Sequence, residues 1–124
     1  MGGDIYGVAM KDEFSIKERE LKWIGIDLDK TLTHTKYPEF KLTKPIKGAK
    51  EALKKLNKDG WKITISTSRA WADYENIERW LLKWDIPFRR IVCGKLLCKF
   101  FIDDRNIEFN GDWKETIEKL RRKI

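Results

Sequence analysis

Asp27 and Asp29 stand at the end of an apolar run, in the stretch Trp-Ile-Gly-Ile-Asp-Leu-Asp-Lys-Thr-Leu-Thr of residues 23–33. A segment built only to be buried has no use for two carboxylates and a lysine at its end. Residues two apart on an extended chain point the same way, so both carboxylates can converge on one ligand. A second acidic pair, Asp103 and Asp104, closes another apolar run, Lys-Phe-Phe-Ile-Asp-Asp. Three or four carboxylates at one edge would repel strongly in a partly dry site, and a divalent cation relieves that repulsion. An oxygen-only ligand set fits Mg2+ best. Thr67, Arg69 and Lys95 are then left to bind the oxygens of an anion. Carboxylates, a magnesium-sized charge, a hydroxyl and a lysine together suit phosphoryl transfer.

These residues share an edge only if the right elements carry them. Leu21–Leu28 is largely apolar and bounded by charge, which predicts a buried strand. Ala49, Ala52, Leu53 and Leu56 recur at helical spacing, with Thr43 and Pro45 suiting the start of that helix and Gly60 its stop. Its other face carries Lys47, Lys50, Lys54 and Lys58, a stripe that reads as a solvated surface. Trp61–Ser66 is short and β-branched, a second strand. Tyr74, Ile77, Leu81 and Trp84 mark a second helix, which Pro87 stops. Residues 89–93 predict a third strand and residues 99–103 a fourth. Asp112 and Glu115 open a last helix whose apolar face is Trp113, Ile117, Leu120 and Ile124. Strands alternating with helices predict an α/β domain with a mostly parallel sheet, whose ligands bind at the carboxyl ends of the strands. Those ends carry Asp27 and Asp29, Thr67 and Arg69, Lys95, and Asp103 and Asp104.

The ordered set resembles the phosphatases of the haloacid dehalogenase superfamily. The first motif, Asp-x-Asp-x-Thr after an apolar strand, is matched by Asp27, Asp29 and Thr31. The second, a Thr or Ser ending the next strand, is matched by Thr67, with Ser66 as the competing register. The third, a lysine, is matched by Lys95, with Lys99 as a weaker candidate. The fourth, an acidic pair, is matched by Asp103 and Asp104. The resemblance implies a three-layer Rossmann-like domain and a Mg2+-dependent phosphomonoesterase. In it Asp27 attacks phosphorus to form an aspartyl-phosphate, and Asp29 protonates the leaving group and then activates water. It implies Mg2+ held by Asp27, by the Asp29 backbone carbonyl and by Asp104, with Asp103 beside it and able to exchange roles. It implies Thr67 and Lys95 as the phosphate's partners, with Thr31, Lys30 and Arg69 toward the substrate. Lys30 departs from the glycine many relatives carry, and Leu96 follows Lys95 where relatives often have proline.

Too few residues separate Thr31 from Thr67, or Thr67 from Lys95, to hold a cap domain. The expected site is therefore open, to a large substrate or to a neighbouring subunit that covers it. Arg69 reads equally as a salt-bridge former, His34 as a bland loop residue, and Trp71, Trp80 and Trp84 as core. The chain's 124 residues read as one domain, with 1–20 as an extension of unassigned structure. With 41% hydrophobic and 38% charged residues it has a globular composition. No apolar run approaches the roughly 20 residues of a membrane span, and no secretory signal is visible, so a cytoplasmic protein is expected. Two cysteines and one histidine are too few for a disulfide scaffold or a four-ligand zinc site. The net charge of +7 favours anionic partners: a phosphorylated small molecule, a phosphoprotein or nucleic acid. The rival readings are a non-catalytic phosphate- or nucleic-acid-binding module and a phosphatase for nucleic-acid termini.

Overall fold

The computed structural model describes residues 22–36, 39 and 41–124. The expected extension 1–20 lies outside the described residues. Three strands, β1 (Trp23–Asp27), β2 (Lys62–Ser66) and β3 (Arg90–Val92), form one parallel sheet in the order β1-β2-β3. The helices are α1 (Ala49–Lys58), α2 (Tyr74–Lys83), entered through a 3-10 turn at Trp71–Asp73, and α3 (Trp113–Lys123). The α/β class and the parallel sheet are as expected.

Ile24 pairs with Ile63, and Ile26, Ile65 and Ile91 fall in one row across the three strands. Alternation puts these side chains on one face of the sheet. Ile26, Ile63, Ile65 and Ile91 are buried there and pack into a single core with the helices. From α1 come Ala49, Ala52, Leu53 and Leu56, the stripe the spacing picked out; Ile77, Trp80 and Leu81 come from α2, Trp113 and Leu120 from α3. Strand order running straight across the sheet explains the single core, because crossovers of one hand advancing in one direction lay their helices on one face. The other face presents Thr64, half-buried, and Arg90 and Val92, exposed. The expectation of three layers is thus corrected to two among the described residues.

Two element boundaries also shift. α1 begins at Ala49 after Gly48, which takes a φ of 86°, and not at Thr43, whose backbone carbonyl accepts the Trp80 indole N–H at 2.7 Å. Its stop at Gly60 holds: φ is 96° and its N–H bonds the Asn57 carbonyl. Asp112 caps α3 by accepting the Glu115 N–H at 3.2 Å, whereas the Glu115 carboxylate bonds Asn110 instead of closing a capping box.

The fourth strand does not form. Residues 99–103 run as coil, with Phe100 and Ile102 almost fully exposed. Strand propensity stabilises nothing until a neighbouring strand supplies hydrogen bonds and a packed surface. Among the described residues, β1 has only β2 as neighbour.

Candidate functional site

The carboxyl ends of the three strands assemble the site. Register sets Asp27 beside Ser66 and Ser66 beside Val92, so all three chains leave the sheet at one level. After β1 the chain folds back tightly: the Leu28 carbonyl accepts N–H groups from Thr31, Leu32 and Thr33. Lys30 takes a φ of 61° in this turn, and its N–H reaches the Thr33 and Thr35 carbonyls. Glycine adopts that left-handed conformation without steric cost, and a lysine does so only under strain. Thr33, Thr35 and Thr43 join their hydroxyls at 3.1–3.2 Å, and the Trp113 indole N–H bonds the Thr31 carbonyl at 3.0 Å. The loop is thereby tied to the core and to α3. This threonine cluster carries no sequence signal beyond a run of polar loop residues.

Lys95 reaches the site from the other side. Past β3, Gly94 takes a φ of 79°, its N–H bonds the Arg69 carbonyl, and the Lys95 N–H bonds the Thr67 carbonyl. The Lys95 ammonium then lies 3.5 Å from the Asp27 carboxylate. Burial lifts the Asp27 carboxyl above the ordinary carboxylate range. Lys95 and the Leu28 N–H pull it back, and the charge of Asp29 adds to the rise. Lys99, the alternative lysine, lies over the Phe100 ring instead. Thr67 is fully buried, and its hydroxyl accepts the Arg69 N–H at 3.0 Å. Ser66, the competing register, lies within β2.

Arg69 is the residue whose place the sequence left open. It is buried, and it grips Asp29 with both oxygens engaged: Nε–H donates to Oδ1 and Oδ2 at 3.2 and 3.1 Å, and Nη2–H to Oδ1 at 2.7 Å. The pair is a bidentate, nearly dry ion pair, with side-chain exposures of 3% and 12%. His34 is exposed, as its bland reading expected.

The acidic pair is not brought in. Asp103 and Asp104 sit on exposed coil, where the Asp103 carboxylate accepts the Arg105 N–H at 2.9 Å. Among the described residues no three His, Cys, Asp or Glu side chains gather as a metal-binding group. Of the expected Mg2+ ligands, Asp27 and Asp29, the latter expected to contribute its backbone carbonyl, line the cavity at the strand ends, whereas Asp103 and Asp104 sit on exposed coil. This arrangement does not fit a complete Mg2+ site. The failure follows from the unformed fourth strand, which was to carry Asp103 and Asp104 to the same edge.

Around these groups lies a cavity of about 180 Å3, lined by Asp27, Asp29, Ser68 and Lys95 together with Leu96, Leu97, Cys98 and Phe101. A larger groove of about 500 Å3 runs between α1 and α2, but Lys54 and Asp85 in it are already joined at 2.8 Å. It brings no uncommitted acid, base or nucleophile together.

No protein-family profile matches the chain, and no curated protein matches it. Two solved structures are similar. A crystallised target protein from Vibrio cholerae is 27% identical with a TM-score of 0.62, over 83% of this chain and 99% of that one. A conserved protein from Bacteroides thetaiotaomicron is 24% identical with a TM-score of 0.61, over 82% and 91%. The second shows the fold alone. No helix among the described residues is long and apolar enough to cross a membrane.

Proposed function

We propose that this chain is a capless phosphomonoesterase of the haloacid dehalogenase type. The observation that carries the reading is the Asp27–Lys95 pair at 3.5 Å, set at the carboxyl ends of parallel strands beside Asp29 and the buried Thr67. A carboxylate held half-buried next to an ammonium is placed to attack an anion that the ammonium attracts. One Asp27 oxygen forms a bond to phosphorus while the bond from phosphorus to the ester oxygen breaks. The departing oxygen takes a proton from Asp29, and Asp29 later takes one from the water that hydrolyses the aspartyl-phosphate. Lys95 follows the phosphate's charge through both steps.

Mg2+ belongs to the reading through the resemblance, as a counter-charge at Asp27. The described arrangement does not assemble its ligands, and no step is derived through it. The deciding experiment is hydrolysis of p-nitrophenyl phosphate with Mg2+ or with EDTA, by wild type and Asp27→Asn. Turnover lost in Asp27→Asn is expected. Turnover retained by the variant, or none by the wild type across a broad phosphomonoester panel, refutes the reading. The net charge of +7 favours the second reading, a nucleic-acid-binding module or terminal phosphatase. Salt-sensitive oligonucleotide binding without turnover would favour the module. Release of phosphate from oligonucleotide ends in preference to sugar phosphates would favour the terminal phosphatase.

A further inference from the structure

Beside the charged groups the cavity is lined by apolar, exposed side chains. Leu96 and Leu97 are 69% and 68% exposed, and Phe101 is 48% exposed. They are not scattered surface residues. They line the same cavity of about 180 Å3 as Asp27, Ser68 and Lys95. They adjoin the charged groups: Leu96 and Leu97 follow Lys95 directly, and the Lys95 ammonium lies 5.3 Å from the centre of the Phe101 ring. The Lys95–Thr67 backbone bond that seats the lysine therefore seats the leucines at the mouth as well. A substrate anchored on Lys95 by its phosphate has its remaining atoms against Leu96, Leu97 and Phe101. A sugar or glycerol phosphate would set hydroxyls on that apolar surface and gain no hydrophobic stabilisation from it. An aryl group would bury apolar surface on both sides. Size limits that body to about one ring, since the roughly 180 Å3 is shared with the phosphate and a cavity of about 150 Å3 holds one benzene ring.

We propose that the phosphate ester taken here carries an apolar body of about one ring, bound on the wall of Leu96, Leu97 and Phe101. The proposal rests on the phosphomonoesterase reading for its chemistry, and its test is made on binding without turnover. The probes are phenylphosphonate and methylphosphonate, titrated into the full chain by NMR or calorimetry. The ring's buried area predicts phenylphosphonate binding about tenfold more tightly. In Leu96→Ser/Leu97→Ser the preference is expected to fall below about threefold, with methylphosphonate affinity unchanged. Both leucines are largely exposed, so the variant is expected to fold, and its thermal melt checks this.

Equal binding of the two probes in wild type overturns the proposal and leaves the anion site standing. A preference that survives in the variant overturns it as well. Failure of both probes to bind overturns it together with the reading it rests on. A wild-type dimer that the variant abolishes assigns the wall to a second copy of the chain, and also overturns it.

Discussion

Replacing Arg69 with methionine tests whether the ion pair at the site is as dry as its geometry indicates. An exposed ion pair contributes about 0–1 kcal/mol, whereas removing one partner of a buried pair costs about 3–5 kcal/mol by leaving an uncompensated charge. The Arg69 and Asp29 side chains are 3% and 12% exposed and share three hydrogen bonds, which places them in the second class. The expected loss for Arg69→Met is therefore about 3–5 kcal/mol, a large part of the roughly 5–15 kcal/mol that holds a typical domain together. At about 4 °C per kcal/mol for a chain of this size, Tm falls by about 12–20 °C. Urea denaturation at neutral pH, followed by tryptophan fluorescence, gives the same quantity independently. Asp29→Leu in the Arg69→Met background removes the stranded charge and recovers much of the loss, as a double-mutant cycle would show. A loss below about 1 kcal/mol for Arg69→Met would mean that the pair is solvated, against its 3% and 12% side-chain exposures.

Asp27→Asn is expected to stabilise the fold at neutral pH while abolishing turnover. The folded-state pKa of Asp27 is raised, so its contribution is present below the ordinary carboxylate range and is lost as pH rises through the raised value. Melts from about pH 3 to 7 should show wild type losing ground to the variant as pH rises, and parallel curves would contradict the cause given. Trp113→Phe removes the donor to the Thr31 carbonyl and should cost about 1–3 kcal/mol in urea denaturation. Lys30→Gly relieves a left-handed φ at some cost in chain entropy, for a net gain of about 0.5–1 kcal/mol; a loss would mean the lysine side chain holds the turn. Leu53→Ala, fully buried on α1, should cost about 2–5 kcal/mol.

By itself the sequence determined what local patterns encode. The two longer strands were legible as short apolar or β-branched runs, and the Ala49-Ala52-Leu53-Leu56 stripe because burial imposes a period of 3.6 on helices. Asp27, Thr67 and Lys95 were legible as strand-end residues for the same reason: a parallel sheet delivers all its carboxyl ends to one edge. Only the tertiary structure decided the rest. It gave Arg69 to Asp29, forty residues apart in the chain, and the sequence left that guanidinium equally suited to the surface or the substrate. It set the Lys95 ammonium 3.5 Å from Asp27 and that of Lys99 over Phe100. It left residues 99–103 as coil and their acidic pair exposed, although their composition favours a strand. A strand is a property of two segments, and no single segment carries the hydrogen bonds of its neighbour.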